Sequence, residues 1–253
     1  MIAVEHRDGL AFLTMKHGKA NALDIEFCRG LVEEFGRLRD GAARAVVLTG
    51  QGNIFSAGVD LLRITSGGPP YIREFLAGLQ DFCETIFSFP KPLVAAVNGH
   101  AIAGGFVLAC MADRRILARG AARIGLPELL VGVPFPPGPL EIMRFALPPE
   151  RLVPAMYGGA THEPEAALDR GFIDEIVEGE ELLDHAARSA EALGGLGRDT
   201  FRLTKAQIRG PTLERMRSQQ RAIGAEVEKV WTAPETLVRI RDYTERTFKR
   251  GRT

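Results

Sequence analysis

The sequence predicts an α/β fold in which strand, strand and helix alternate about three times before a mostly helical C-terminal part. Short apolar runs with the length of buried strands recur in the first half, and segments with helical spacing of apolar residues lie between them. Asp8 and Gly9 separate the first two runs and indicate a hairpin. Beyond residue 132 the spacing becomes helical, with one more short strand predicted at 172–177 and no intervening linker. We therefore expect stacked ββα turns that continue directly into helices.

The composition is that of a globular protein without a strong field of either sign. Of 253 residues, 45% are hydrophobic and 25% charged, and 32 basic side chains balance 32 acidic ones. This balance argues against a global attraction to nucleic acid or to an anionic membrane. No basic segment precedes an apolar one at the N-terminus, and no apolar run approaches the roughly 20 residues that span a bilayer. We therefore expect a soluble, cytoplasmic protein.

Metal and redox chemistry have no motif in the sequence. Cys28, Cys83 and Cys110 are far apart and form no ligand pattern with histidine, so we expect small core residues in a reducing compartment. A dinucleotide-binding fingerprint is absent as well. The sequence therefore predicts no metal and no cofactor.

Helices and loops follow from the apolar spacing and from the positions of glycine and proline. An amphipathic helix is predicted to begin after Asp24, a candidate N-cap, and to end near Leu38. The segment 63–70, rich in glycine and proline, is predicted to be a mobile loop that precedes a helix at 71–87. In the second half the predicted helices are 140–145, 150–156, 164–170, 181–193, 200–208, 213–230 and 234–249.

A glycine-bearing turn between an apolar strand and an apolar helical run stands out at 97–105. Gly104 and Gly105 come at the predicted start of the helix, where bare backbone N–H groups point at a ligand. A phosphate loop would add a Lys-Ser or Lys-Thr pair or a GxGxxG spacing, and neither is present. The apolar residues that follow suit a carbonyl oxygen in a dry site. The turn therefore predicts half of an oxyanion hole, with a second donor and a base elsewhere.

Three segments, 55–61, 98–105 and 124–128 with Gly132, resemble in order and separation those of the crotonase (enoyl-CoA hydratase/isomerase) superfamily. The resemblance covers nearly the whole chain. It implies a crotonase-type spiral of ββα turns in residues 1–195 that holds the active site, and a C-terminal helical region in 196–253. That region would serve oligomerisation and close the coenzyme A site. The resemblance also implies a homotrimer or homohexamer that acts on acyl-CoA thioesters, with coenzyme A present only as part of the substrate.

The same resemblance assigns the catalytic groups. The backbone N–H groups of Val59 and Gly104 would hold the thioester oxygen while an enolate forms, and Glu128 would be the base. Without the resemblance, the two donors are simply tight turns that contain glycine, and Glu128 is an acid at the start of a helical turn. If apolar neighbours surround Glu128, burial raises the pKa of its carboxyl and makes it a better base near neutrality.

One departure from the superfamily pattern decides between activities. Hydratases of the superfamily carry a second glutamate at the position of Val107, which transfers no proton. Moving a double bond between positions 3 and 2 needs one carboxylate, so 3-enoyl-CoA to 2-enoyl-CoA isomerisation is the favoured function. The alternatives are an enoyl-CoA hydratase or acyl-CoA hydrolase with a water near Glu128 or Glu141, and a non-catalytic CoA-ester-binding protein. The ordinary interpretation of Glu141 is a solvated acid in a first helical turn.

Binding residues for the coenzyme A part are implied at both ends of the chain. They are Lys16, Lys19, Ala57, Asp60, Leu61, Tyr243 and Arg246, with His17, Arg241, Lys249 and Arg250 as nearby candidates. Among them Asp60 has an ordinary alternative as a helix cap. For the acyl pocket, the segments 64–72 and 134–139 and the side chains of Phe75, Leu79, Phe106 and Phe135 are candidates, with a core role for these side chains equally open. His100 and Asp113 are predicted to be structural.

Overall fold

The computed structural model describes residues 1–250, with side chains described up to residue 247. Within them the strands form a six-stranded sheet in the order β1-β2-β3-β5-β7-β10 and a four-stranded sheet in the order β4-β6-β8-β9. Among the strand pairs of these described residues, β1–β2 and β8–β9 are antiparallel and the others parallel. The strands are β1 (Ile2–Arg7), β2 (Leu10–Met15), β3 (Ala45–Thr49), β4 (Ile54–Ser56), β5 (Leu93–Val97), β6 (His100–Ile102), β7 (Arg114–Ala118), β8 (Ile124–Gly125), β9 (Thr161–His162) and β10 (Glu175–Val177).

Helices pack around both sheets and make up most of the second half. The α-helices are α1 (Ile25–Asp40), α2 (Leu61–Phe87), α3 (Gly104–Cys110), α4 (Glu128–Val131), α5 (Pro137–Ala146), α6 (Pro149–Gly158), α7 (Pro164–Asp169), α8 (Leu182–Gly194), α9 (Arg198–Trp231) and α10 (Pro234–Arg250). None of the helices within residues 1–250 combines the length and apolar character that crossing a bilayer requires.

Most predicted elements of the first half are confirmed. Asp8 and Gly9 form the hairpin turn with φ of 54° and 78°, the two positive values that a tight type I′ turn needs. Asp24 caps α1 by accepting a hydrogen bond from Phe27 N at 2.8 Å. The strand predicted at 172–177 shortens to β10, because Phe172 packs in the core against Phe106 before the strand begins.

The predicted mobile loop at 63–70 is wrong, since these residues belong to α2. Asp60 caps the helix start by accepting a bond from Arg63 N at 2.9 Å. Gly68 bends the helix with φ 62° and ψ −161°. Pro69 and Pro70 then fall in the first turn of the second segment, where a missing N–H costs nothing. The Gly-Pro cluster therefore marks an interruption at Gly68, where the two helical segments of α2 meet.

The two helices predicted at 200–208 and 213–230 are one helix, α9, with Pro211 inside it. The lost backbone hydrogen bond at a proline normally ends or kinks a helix. Here Arg209, Thr212 and Met216 are buried on either side of it, so packing holds both halves in line.

The main hydrophobic core lies between the sheets and the helices and extends into α9 and α10, where Met216, Trp231 and Ile240 join it. A second, smaller cluster covers the other face of the six-stranded sheet, where α8 packs on β3 and β5. The predicted cysteines, Cys28, Cys83 and Cys110, are buried as free thiols, as expected.

Candidate active site

Two neighbouring turns present backbone N–H groups without partners. Leu23 forms a parallel bridge with Val59, in which Leu23 N donates to Gly58 O at 2.7 Å and Asp60 N donates to Leu23 O at 2.9 Å. This pattern directs the N–H of Val59 away from Leu23. Within residues 1–250, neither Val59 N nor Gly104 N has a hydrogen-bond acceptor. Both are therefore free for a ligand.

Glycines bring the two turns together. A Cβ on Gly58 would lie 3.0 Å from Gly104 N and 2.6 Å from Ile102 O, and its φ of 81° disfavours any side chain. A Cβ on Gly104 would lie 3.8 Å from Val59 N. The missing side chains let the two predicted donors lie side by side.

Ala103 stores backbone strain directly before the second donor. Its φ of 53° and ψ of −126° are unfavourable for a residue with a Cβ, at a typical cost of about 1–3 kcal/mol. The carbonyl of Ala103 accepts hydrogen bonds from Phe106 N and Val107 N at 2.9 and 3.1 Å, which hold it as the N-cap of α3. In this geometry Gly104 is the first residue of α3, where the N–H needs no partner within the helix.

Glu128 is the only side chain within the described residues that has a buried polar atom without a hydrogen-bond partner, its Oε2. The residue is 9% exposed and begins the short helix α4 after Pro127. Burial raises the pKa of its carboxyl to about 8, while a hydrogen bond from its own backbone amide acts in the opposite direction. The expected rise in pKa is thus present, and no cation compensates it.

The donors and Glu128 border one cavity of about 90 Å³, which admits several water molecules or an equivalent length of acyl chain. Its remaining wall is almost entirely apolar and comes from both halves of the chain. The lining residues are Leu23, Ala57, Val59, Leu61, Leu79, Phe82, Cys83, Ile102, Ala103, Gly104, Val107, Met111, Pro127, Glu128, Val131, Val133, Phe135, Pro136, Pro139, Trp231 and Tyr243. Such a cavity can bind a hydrocarbon beside a carbonyl oxygen.

Of the candidate acyl-pocket residues, Leu79 and Phe135 line the cavity, and the loop 134–139 contributes to it as predicted. Phe75 and Phe106 do not line it and are buried in the core instead, and no residue of the segment 64–72 lines it either. Trp231 was not predicted. It ends α9, and its indole Nε1 donates to Pro134 O at 2.9 Å, which anchors that loop. The available signal was that Trp231 is the one tryptophan of the sequence.

Five of the candidate coenzyme A residues divide into those that line the cavity and those that do not. Ala57, Leu61 and Tyr243 line the cavity. Lys16 and Lys19 are exposed and lie outside its lining.

Three more candidates have partners of their own. His17 Nε2 pairs with Asp24 at 2.7 Å, and Asp60 caps α2. Arg246 donates from Nε to Asp242 O at 3.1 Å and lies outside the cavity lining. The side chains of Lys249 and Arg250 lie outside the described residues.

The prediction that Glu141 is a solvated acid is wrong. Its carboxylate is 4% exposed and is paired with Arg215 Nε at 2.8 Å and Arg144 Nε at 3.3 Å. The reason is that α9 packs along α5 and brings Arg215 over it. His100 and Asp113 are structural, as predicted: His100 Nδ1 accepts from Arg123 N, and Asp113 accepts from Leu93 N.

A desolvated carboxyl and two free, adjacent N–H donors thus border one apolar cavity, an arrangement that can stabilise an oxyanion while a proton moves. Within the described residues, no three His, Cys, Asp or Glu side chains are grouped as metal ligands would be. The chain belongs to the enoyl-CoA hydratase/isomerase family, whose model matches residues 5–245.

Relatives and solved structures of this family carry different activities in their names. A carnitinyl-CoA dehydratase from Salmonella paratyphi A is 36% identical over 184 residues, 72% of this chain and 69% of that protein. The human mitochondrial Δ3-Δ2-enoyl-CoA isomerase superposes with a TM-score of 0.94 at 26% identity over 98% of both chains. A probable enoyl-CoA hydratase from Mycobacterium tuberculosis has a TM-score of 0.83 at 33% identity, over 89% of this chain and 95% of its own. These likenesses confirm the predicted crotonase-type fold.

Proposed function

We propose that the protein is an enoyl-CoA isomerase that converts 3-enoyl-CoA to 2-enoyl-CoA. The observation that carries this proposal is the single unpaired carboxyl of Glu128 in a cavity where Val107 stands at the position of a second acid. Isomerisation needs one group that both removes and returns a proton, whereas addition of water uses two carboxylates to hold and split it.

In the proposed mechanism the thioester oxygen binds between the N–H groups of Val59 and Gly104. Ionised Glu128 removes a proton from C2, the C3–C4 double bond shifts, and a dienolate forms whose charge rests on the oxygen. The protonated Glu128 then returns the proton to C4, which leaves the double bond between C2 and C3. Each backbone donor contributes about 3–4 kcal/mol to the stabilisation of such an oxyanion.

A hydratase is the second candidate, because relatives of this chain are named as a dehydratase and a probable hydratase. A hydratase would have to hold its water with Glu128 as the one carboxylate among the lining residues. Glu141 cannot assist, since it is paired with two arginines and lies outside the cavity lining. A protein that binds CoA esters without chemistry is the third candidate, and the raised pKa of Glu128 argues against it.

The coenzyme A part of the substrate is proposed to pass Ala57, Leu61 and Tyr243, which border the cavity. Asp60 caps α2 and thereby positions Leu61. The phosphates of coenzyme A are proposed to contact Lys16, Lys19 and Arg246. These side chains lie outside the cavity lining, so a bound ligand or a neighbouring subunit would have to bring the phosphates to them. A homotrimer or homohexamer, a division at residue 195 and a cytoplasmic location complete the proposal.

The test is to incubate the purified protein separately with 3-enoyl-CoA and 2-enoyl-CoA and to follow both double-bond migration and hydration. Migration without net hydration supports the isomerase. Hydration of 2-enoyl-CoA at a rate comparable to migration favours the hydratase, and binding without turnover favours the non-catalytic protein. Free coenzyme A released from either substrate would indicate a hydrolase.

A further inference from the structure

Outside the cavity, three charged side chains form a buried cluster between α9 and the core. Asp113 accepts from Lys205 Nζ at 2.6 Å and from Arg209 Nη2 at 2.7 Å, and its carboxylate also accepts from Leu93 N at 2.8 Å. The side chains of Lys205 and Arg209 are 6% and 4% exposed. Buried ion pairs lose so much hydration that they are a weak source of stability, and apolar residues would dock α9 as well.

The guanidinium of Arg209 bonds to the backbone of two helices that form the cavity wall. Its Nη1 donates to Phe87 O and to Met111 O, each at 2.8 Å, and its Nη2 donates to Ala112 O at 3.1 Å. These carbonyls lie at the C-terminal ends of α2 and α3, where no partner is available within the helix. One rigid, planar group therefore joins α2, α3 and α9.

The helix α3 has only seven residues and so measures about 10 Å. Its first residue, Gly104, carries the free N–H donor, and its C-cap, Met111, accepts the hydrogen bond from Arg209. Val107 and Met111 also face the cavity from this helix. Because a two-turn helix moves as one body, a tilt at the Arg209 end redirects the Gly104 N–H at the other end.

We infer that Arg209, held by Asp113 and Lys205, is a positioning residue for the oxyanion hole. It does not touch the substrate and acts through the orientation of α3. The expected effect on kcat rests on the proposed function, because the full negative charge on the thioester oxygen forms only during the proton transfer of that reaction. A misdirected N–H therefore weakens the transition state more than it weakens binding of the thioester.

The test compares Arg209→Lys with Arg217→Lys. The first change keeps a positive charge beside Asp113, but its ammonium has three N–H donors and cannot make the four hydrogen bonds that Arg209 makes to three carbonyls and Asp113. Arg217 lies on the same helix and reaches α2 through the carboxylate of Glu84 at 2.7 Å, so its change serves as the matched control. We expect kcat for isomerisation to fall at least ten-fold in Arg209→Lys with KM within two-fold, and both constants to stay unchanged in Arg217→Lys.

A second readout does not depend on turnover. In protein labelled with ¹⁵N-glycine, the amide resonance of Gly104 is expected to shift in Arg209→Lys and to stay in place in Arg217→Lys. If the wild-type protein converts no enoyl-CoA, the proposed function fails, and the Gly104 resonance alone decides the positioning role.

Three results overturn the positioning role of Arg209. They are an unchanged Gly104 resonance with unchanged kcat, equal effects in both variants, or a loss that appears as much in KM as in kcat. If Arg209→Lys does not fold, Asp113→Asn replaces it, because this change keeps the guanidinium and its carbonyl acceptors while it removes the charge that holds the guanidinium in place. A kcat decrease of about three-fold is expected there, and an unchanged kcat counts against the role.

Discussion

Glu128 and Glu141 are both buried acids, yet their surroundings are opposite. Glu128 borders an apolar cavity with one carboxylate oxygen unpartnered, and burial raises the pKa of its carboxyl to about 8. Glu141 lies under Arg215 and Arg144, which form ion pairs with its two oxygens. Burial makes a carboxyl a strong base only where no cation compensates its charge. The comparison therefore assigns the proposed proton transfer to Glu128 and a structural role to Glu141.

The largest effect is expected on isomerase activity when Glu128, and not Glu141, is replaced. Glu128→Gln keeps the shape of the side chain but removes the group that accepts the proton, so isomerisation should fall at least 10³-fold, within the usual range for loss of a general base. Binding of acyl-CoA, measured by calorimetry, should persist because the backbone donors remain.

The matched control for that variant is Glu141→Gln, whose activity should stay within about three-fold of the wild type. Near-normal turnover in Glu128→Gln, or an equal loss in both variants, would falsify the assignment of the base to Glu128.

The same two variants should change stability in opposite directions. The pKa of Glu128 is raised from 4.5 to about 8, so below pH 4.5 the carboxyl is protonated in both folded and unfolded states. Between pH 4.5 and pH 8 the carboxyl is ionised in the unfolded state but still protonated in the folded state. The free energy of unfolding of the wild type therefore falls by about 1.4 kcal/mol per pH unit in this range. Glu128→Gln should therefore gain a few kcal/mol relative to the wild type between pH 4.5 and pH 8.5.

Glu141→Gln should instead lower the free energy of unfolding by about 1–2 kcal/mol at pH 7, because Arg215 and Arg144 lose a charged partner. Urea unfolding at the two pH values measures both effects. A Glu128→Gln variant whose stability relative to the wild type does not change with pH would show that the carboxyl is not desolvated.

The pH dependence of activity is a third test of the contrast. Glu128 acts as a base only when ionised, so kcat/KM for isomerisation should rise about ten-fold per pH unit and level off above about pH 8. Glu141→Gln should show the same profile. A midpoint near 4.5 would mean that water reaches the carboxyl of Glu128 in the free protein.

Local and regular features of the fold were predictable from the sequence. The hairpin at Asp8-Gly9, the strands β3, β5 and β7 and the cap at Asp24 follow from spacing and turn chemistry within a few residues. The errors at 63–70 and at Pro211 differ in cause: Gly68 does break the helical backbone, but within one residue rather than a loop, whereas α9 continues through Pro211.

The site was predictable where backbone geometry defines it and less so where distant side chains complete it. The turns at Val59 and Gly104 carry their own glycine signal. The pairing of Glu141 with Arg215, the anchoring of the 134–139 loop by Trp231 and the cluster around Asp113 join residues far apart in the chain. No local pattern specifies which arginine or tryptophan a folded helix brings to which partner.

The smallest effect is expected from a variant that places a second acid beside Glu128. Val107 is buried and faces the cavity, so Val107→Glu puts two carboxyl groups in one apolar space. Two like charges there cannot both ionise readily, and the pKa at which the base becomes active should rise by about one unit. The midpoint of the kcat/KM profile should move from about pH 8 to about pH 9, and slow hydration of 2-enoyl-CoA should appear.

Val107→Gln, which has the same shape without the charge, should leave that midpoint in place. An unmoved midpoint in Val107→Glu would mean that the new carboxylate turns away from Glu128 or finds a cation as Glu141 does. In either case the charge of the new carboxylate would not act on Glu128, which alone would keep the proton-transfer role.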